Sequence, residues 1–267
     1  MIPVLAAALI CLETIRRGPY QGIVSAAIGA MGVLVLGTAV GTDLRVVGIV
    51  GGVTMFSGAG LGAIMYSTLS LNLAFQASLL ACIVAIVAAL TVWPDSGALV
   101  NSQLESVLGM LQESGANPEQ LAALSQLADV FFGLVAAVIF AQLIIALALG
   151  YWWACLAGTS GNFGGEFRQL KLGKSLGWPA TLVMAISLVV DSTLVQNMFP
   201  LILFGFCFQG LAITHAWAHA KSWNPAVLLV MYLLLVSPLT AIMVMVLGSM
   251  GLTDNWINLR APLRAAT

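Results

Sequence analysis

His215 and His219, in the run HAWAH, come nearest to a metal site in this sequence. At i and i+4 they share one helix face, and two imidazoles so placed can chelate a metal. The glutamate of an HExxH motif is missing, and no third ligand stands at a related spacing. No metal or cofactor is therefore expected. Other polar residues sit inside or beside long apolar runs: Glu13, Asn72, Gln76, Gln142, Asp191, Gln196, Asn197 and Gln209. Polar groups at membrane depth are costly and often functional. Asp191, Gln196 and Asn197 bracket a single turn; facing inward, they would line a pocket for a small ligand. Glu13 lies close enough to Arg16 and Arg17 to pair on one helical face. There is no GxSxG, no Walker A sequence and no kinase signature, and no spacing selects a Ser-His-Asp triad. These residues name no catalytic group, and the expectation is a protein that is not an enzyme.

The elements that must hold these residues are membrane helices. Of the 267 residues, 61% are hydrophobic and only 7% charged, with a mean hydropathy of +1.05. Soluble domains carry about a quarter charged residues, so a chain this apolar could not cover its own surface in water. Runs of about twenty apolar residues cross a bilayer core. Eight apolar segments are readable, at 2–14, 20–41, 46–66, 69–93, 129–157, 178–193, 195–217 and 225–250. The expected fold is an all-α, polytopic transmembrane bundle forming a single domain over 1–267. The net charge of -1 offers no basic footprint for nucleic acid. Cys11, Cys82, Cys155 and Cys207 lie in apolar runs without CxxC spacing and read as packing residues. The first segment lacks a basic n-region and an A-x-A site, so it reads as a helix rather than a cleaved signal.

Basic residues set the expected orientation, because cytoplasmic loops hold the excess of Lys and Arg. Alternate threading puts Arg16, Arg17, Arg168, Lys171, Lys174 and Lys221 on one side and Arg45, Arg260 and Arg264 on the other. The first side is taken as cytoplasmic. The turn at Asp191, Gln196 and Asn197 then faces outward. The stretch GNFGGEFRQLKLG, 161–173, becomes the main cytoplasmic anchor. Within it, Phe167 and Leu170 should dip toward the interface, and Glu166 should meet a cation, Arg16 or Arg17. The outer segment 94–128 carries Leu104, Val107, Leu108 and Leu111 at helical spacing, followed by the capping signal Asn117-Pro118. An amphipathic insertion is expected there.

Small residues recur at GxxxG spacing: Gly37 and Gly41, Gly48 and Gly52, Gly58 and Gly62. Such faces let helix backbones approach closely where lipid gives no hydrophobic push. They serve internal packing or a partner subunit in the membrane.

Several stretches together resemble one family. WWACLAGTSGNFGGEFRQLKLG is similar to the WW…G-x-F…EF-x-x-L-x-L segment of the YybS-like bacterial membrane proteins, domain of unknown function 2232. RRGPYQG, GLAITHAWA and GLTDNWINLR resemble its basic turn, its G-L-A-x-x-H and its D-x-W-x-x-x-R patterns. The matching positions are Arg16, Arg17, Gly18, Trp152, Trp153, Phe163, Glu166, Phe167, His215, Asp254, Trp256 and Arg260. The family often has a basic residue before the double tryptophan; this chain has Tyr151. The family is similar to the substrate-binding S components of energy-coupling-factor vitamin transporters. The resemblance thus implies a multi-pass protein of the bacterial inner membrane with an S-component-like core. It also implies a non-enzymatic, small-molecule-binding or transport-related role. The alternative is a membrane scaffold or assembly partner without a small ligand.

Overall fold

The computed structural model describes residues 2–93, 129–159 and 161–261, with isolated positions between 105 and 127. The amphipathic stripe expected at 104–111 lies outside the described residues. The helices are α1 (Ile2–Arg17), α2 (Pro19–Val40), α3 (Leu44–Thr68), α4 (Leu71–Val92), α5 (Phe131–Leu156), α6 (Phe163–Phe167), α7 (Gly173–Ile186), α8 (Thr193–Ala220), α9 (Pro225–Val236) and α10 (Thr240–Ile257). No strand occurs among the described residues. The fold is all-α, as composition required.

Six of these helices, α2, α3, α4, α5, α8 and α10, are long and apolar enough to cross a membrane. The eight apolar segments differ from this set for local reasons. The run 225–250 is two helices rather than one. Pro238 has no N–H to continue a helix and disfavours the helical state of Ser237 before it, so α9 stops at Val236 and α10 starts at Thr240. The α7 helix has 14 residues, about 21 Å of length against the roughly 30 Å of a hydrocarbon core. The α1 helix, with 16 residues, is likewise short.

Within the chain two compact units can be described. The first is Met1–Ser78 with Ala141–Leu170, the second Leu79–Phe140 with Lys171–Thr267.

In the first unit α1 is the buried helix. Ala7, Ala8, Ile10, Cys11, Thr14 and Ile15 are all buried. Two glycines of α3 explain how α1 is held. A Cβ at Gly58 would lie 2.6 Å from the Ala7 carbonyl oxygen, and one at Gly62 would lie 2.9 Å from that of Cys11. The α5 helix does the same from another side: a Cβ at Gly150 would meet the Ala8 carbonyl oxygen at 2.7 Å. Backbone thus packs on backbone, the device that replaces hydrophobic drive in lipid. The other GxxxG glycines of α3 behave differently. Among the described residues Gly48 sees only Leu34 at 3.4 Å, and Gly52 has nothing within 4 Å. The α2 helix turns Tyr20, Ile28, Val35 and Val40 outward, an apolar face suited to hydrocarbon.

In the second unit α8 and α10 run antiparallel. Gly210 faces Leu247 and Gly251 faces Phe206, again backbone against backbone. Leu201, Ile202, Phe206, Leu211 and Ile213 are buried along α8, with Val244 and Leu247 on α10. Phe140, at the middle of α5, stacks edge-on against Phe208.

Candidate functional site

The second unit contains a buried polar cluster. Asp254 near the end of α10, Gln209 in the middle of α8 and Arg260 beyond α10 are all buried. Asn258 adopts a left-handed conformation, φ 53°, and stops α10. The chain then doubles back, so that Arg260 Nη2 reaches Asp254 Oδ2 at 2.6 Å. The Gln209 amide donates to the same oxygen at 3.0 Å. Its carbonyl accepts from the Leu172 backbone N–H, just before α7, at 2.9 Å. Ionisable groups at such depth pair with one another because an isolated charge there is expensive. Asp254 Oδ1 and Asn255 Nδ2 are also buried, and among the described residues neither has a hydrogen-bond partner. Trp256 packs edge-on against Trp178 of α7.

A second cluster, in the first unit, is built on the glycine-rich loop that follows α5. Asn162 caps the short α6 by accepting from Gly165 N–H at 3.0 Å. This places Glu166 between two donors. Tyr151 Oη donates to Glu166 Oε1. The Leu71 backbone N–H, the first of α4, donates to Oε2 at 3.1 Å. Helix starts leave N–H groups without intrahelical partners and favour negative charge. Glu166 therefore caps α4 from 95 residues away. Phe163 meets the Tyr151 ring edge-on and stacks on Phe167.

The third feature is an apolar groove of about 440 Å³ between α8, α9 and α10. Ile213, Met231 and Leu247 form its buried floor, and Trp217, Trp223 and Val246 form its rim. Its polar lining is spent locally, since the Thr214 hydroxyl donates to the Gly210 carbonyl at 3.0 Å. A family model described as a predicted membrane protein, DUF2232, matches residues 1–252.

The chain belongs to the DUF2232 family.

No curated protein and no solved structure matches it. The matched region of this DUF2232 protein holds Arg16, Arg17, Trp152, Trp153, Phe163, Glu166, Phe167 and His215, and stops short of Asp254, Trp256 and Arg260.

The remaining residues singled out by sequence are dispersed. Asp191 is exposed in the turn before α8, Gln196 is half-buried and Asn197 is buried. The Asn197 amide is consumed by helix joints. It accepts from Gly133 N–H at 2.8 Å and donates to the Asp129 and Thr193 carbonyls, each at 2.8 Å. None of the three lines the groove. His215 Nε2 is 2.7 Å from Tyr232 Oη, and His219 is exposed. Among the described residues, no group of three His, Cys, Asp or Glu could hold a metal ion. Sequence reasoning missed the groove, which no motif marks.

Glu166 does not meet Arg16 or Arg17, the partners its sign suggested. Arg17 pairs with Glu13 at 3.1 Å, and Ser25 donates to the other Glu13 oxygen at 2.7 Å. Where the family often has a base, Tyr151 supplies a neutral donor to Glu166. Glu166→Gln leaves one oxygen for two donors and turns an N–H toward either Leu71 or Tyr151. A loss of roughly 1–3 kcal/mol is expected, as for a buried donor left unmatched. Thermal melting in detergent measures it, and an unchanged midpoint would show that the carboxylate is merely solvated. Exchanging charges, Glu166→Arg with Arg17→Glu, should recover nothing, because Arg17 is committed elsewhere.

Proposed function

We propose that this DUF2232 protein is a non-enzymatic integral membrane protein that binds a small, mainly apolar molecule in the groove between α8, α9 and α10. The groove carries this reading. Its volume of about 440 Å³ falls within the range of small-molecule sites, which are concave and mostly apolar. Its floor of Ile213, Met231 and Leu247 offers burial without any unmet polar demand. No feature of the described residues speaks for transport.

The site lies at the opposite end of α8 from Asp191, Gln196 and Asn197. By the distribution of basic residues it belongs to the cytoplasmic side, with Lys221. The buried Arg260 drops out of that distribution, because a paired, buried base is not a loop signal. In the first unit Arg16, Arg17 and Arg168 gather at one end. Tyr66, near the end of α3, lies against Gly18 beside Arg16 and Arg17, and Leu71 meets the loop of Arg168. That end would face the cytoplasm of a bacterial inner membrane.

A scaffold role is the second reading. Gly58, Gly62, Gly150, Gly210 and Gly251 are occupied within the chain, which weakens it. Among the described residues Gly32, Gly52 and Gly60 have nothing within 4 Å of a Cβ placed there, which leaves it a face. Native mass spectrometry of the detergent-extracted protein separates the two. A small adduct is expected on the wild type and should be lost in Val246→Trp, which fills the groove from its rim. An adduct retained by Val246→Trp would sink the binding reading, and a protein-sized partner would favour the scaffold.

A further inference from the structure

The groove is not symmetric from end to end. Lys221, the first residue after α8, places its Nζ 4.4 Å from the centre of the Trp217 ring, and Trp217 forms the groove's rim. Lys221 is exposed, and among the described residues no carboxylate pairs with it. The α9 helix begins beside it, with Asn224 as the cap and Pro225 in the first turn. A helix start carries partial positive charge. This end of the groove is therefore cationic and flanked by Trp217 and Trp223.

The other end is apolar and long. Val246, Met250 and Leu259 line both the groove and a second depression that continues along α10 past Met245 to Thr253. The hydroxyls along that path are satisfied within α10. Ser249 donates to the Met245 carbonyl and Thr253 to that of Ser249, each at 2.8 Å. Met245, Val246 and Trp223 are exposed at the rim, so a chain enters sideways from the bilayer without threading a pore.

A cation between tryptophans at one end and an apolar track along a membrane helix fit one class of molecule. We propose that the groove holds a bilayer phospholipid, its acyl chain along α10 and its anionic headgroup at Lys221. This rests on the binding reading above and names the ligand class of that same site. Basic residues on the cytoplasmic side of membrane helices attract acidic headgroups, and tryptophan is at home at headgroup depth.

The test uses the full-length protein, delipidated in detergent and titrated with phosphatidylglycerol or with phosphatidylcholine of the same chains, read by native mass spectrometry. One phosphatidylglycerol should bind, with about fivefold preference over phosphatidylcholine, the effect of one base near a headgroup. Lys221→Gln should abolish the preference, so that the two lipids bind equally. Val246→Trp, with Met250→Trp as a second filling variant, should abolish both. Equal binding of the two lipids by the wild type, lost on filling, overturns the headgroup assignment and leaves the binding reading intact. A preference that survives Lys221→Gln overturns the role of Lys221. Lipid binding that survives both filling variants overturns the lipid site and the groove reading together.

Discussion

Asp254→Ala should cost the protein roughly 3–5 kcal/mol, the loss expected when one partner of a buried ion pair is removed. The reason lies with the partner left behind. Arg260 is only 8% exposed and reaches Asp254 at 2.6 Å. Without the carboxylate its guanidinium loses the anion that offsets the burial of its charge. Gln209, fully buried, loses the acceptor of its amide as well. The double variant Asp254→Leu with Arg260→Met should recover most of the loss, because removing both charges removes the desolvation penalty along with the attraction. Thermal unfolding of detergent-purified protein would check both. Wild-type melting in Asp254→Ala would mean that the Arg260 charge does not depend on the carboxylate.

Gly210→Leu should be more damaging still. A Cβ there would lie 2.0 Å from the Leu247 carbonyl oxygen, and one at Gly251 would lie 2.0 Å from that of Phe206. Overpacking a core usually costs about 1–3 kcal/mol because side chains give way. Here the obstacle is backbone, on both sides of one helix pair, so α8 and α10 must separate. Loss of monodisperse protein on size exclusion is the expected result. Gly52→Leu is the control: among the described residues nothing stands within 4 Å of it, and its stability should stay within about 0.5 kcal/mol of wild type. Equal behaviour of the two variants would show that helix separation is cheap and that the close approach is not needed.

The fold class was legible because hydropathy is a local sum. An uncharged run of twenty apolar residues prefers hydrocarbon whatever surrounds it, and backbone hydrogen bonding there demands a helix. Even the division of 225–250 is local, written in Pro238, although a hydropathy reading passed over it. Partnerships were less legible. Glu13 with Arg17 follows from one helical turn. Glu166 does not, because its partners are a phenol on α5 and a backbone N–H at the start of α4, neither of which a charge-matching argument would seek.

The glycines divide in the same way. GxxxG spacing pointed to Gly48, Gly52, Gly58 and Gly62 alike, yet Gly58 and Gly62 face backbone and Gly52 faces nothing. Gly210 and Gly251, which pack against backbone in the second unit, belong to no such motif. Spacing determines which residues share a helix face; only the tertiary structure decides what that face meets. For the groove the sequence alone determined that Trp217, Met231 and Val246 would be membrane residues. That they converge depends on α9 and α10 parting at Pro238 and on α10 packing antiparallel to α8. Concavity is a relation between elements distant in the chain, and no run of residues encodes it by itself.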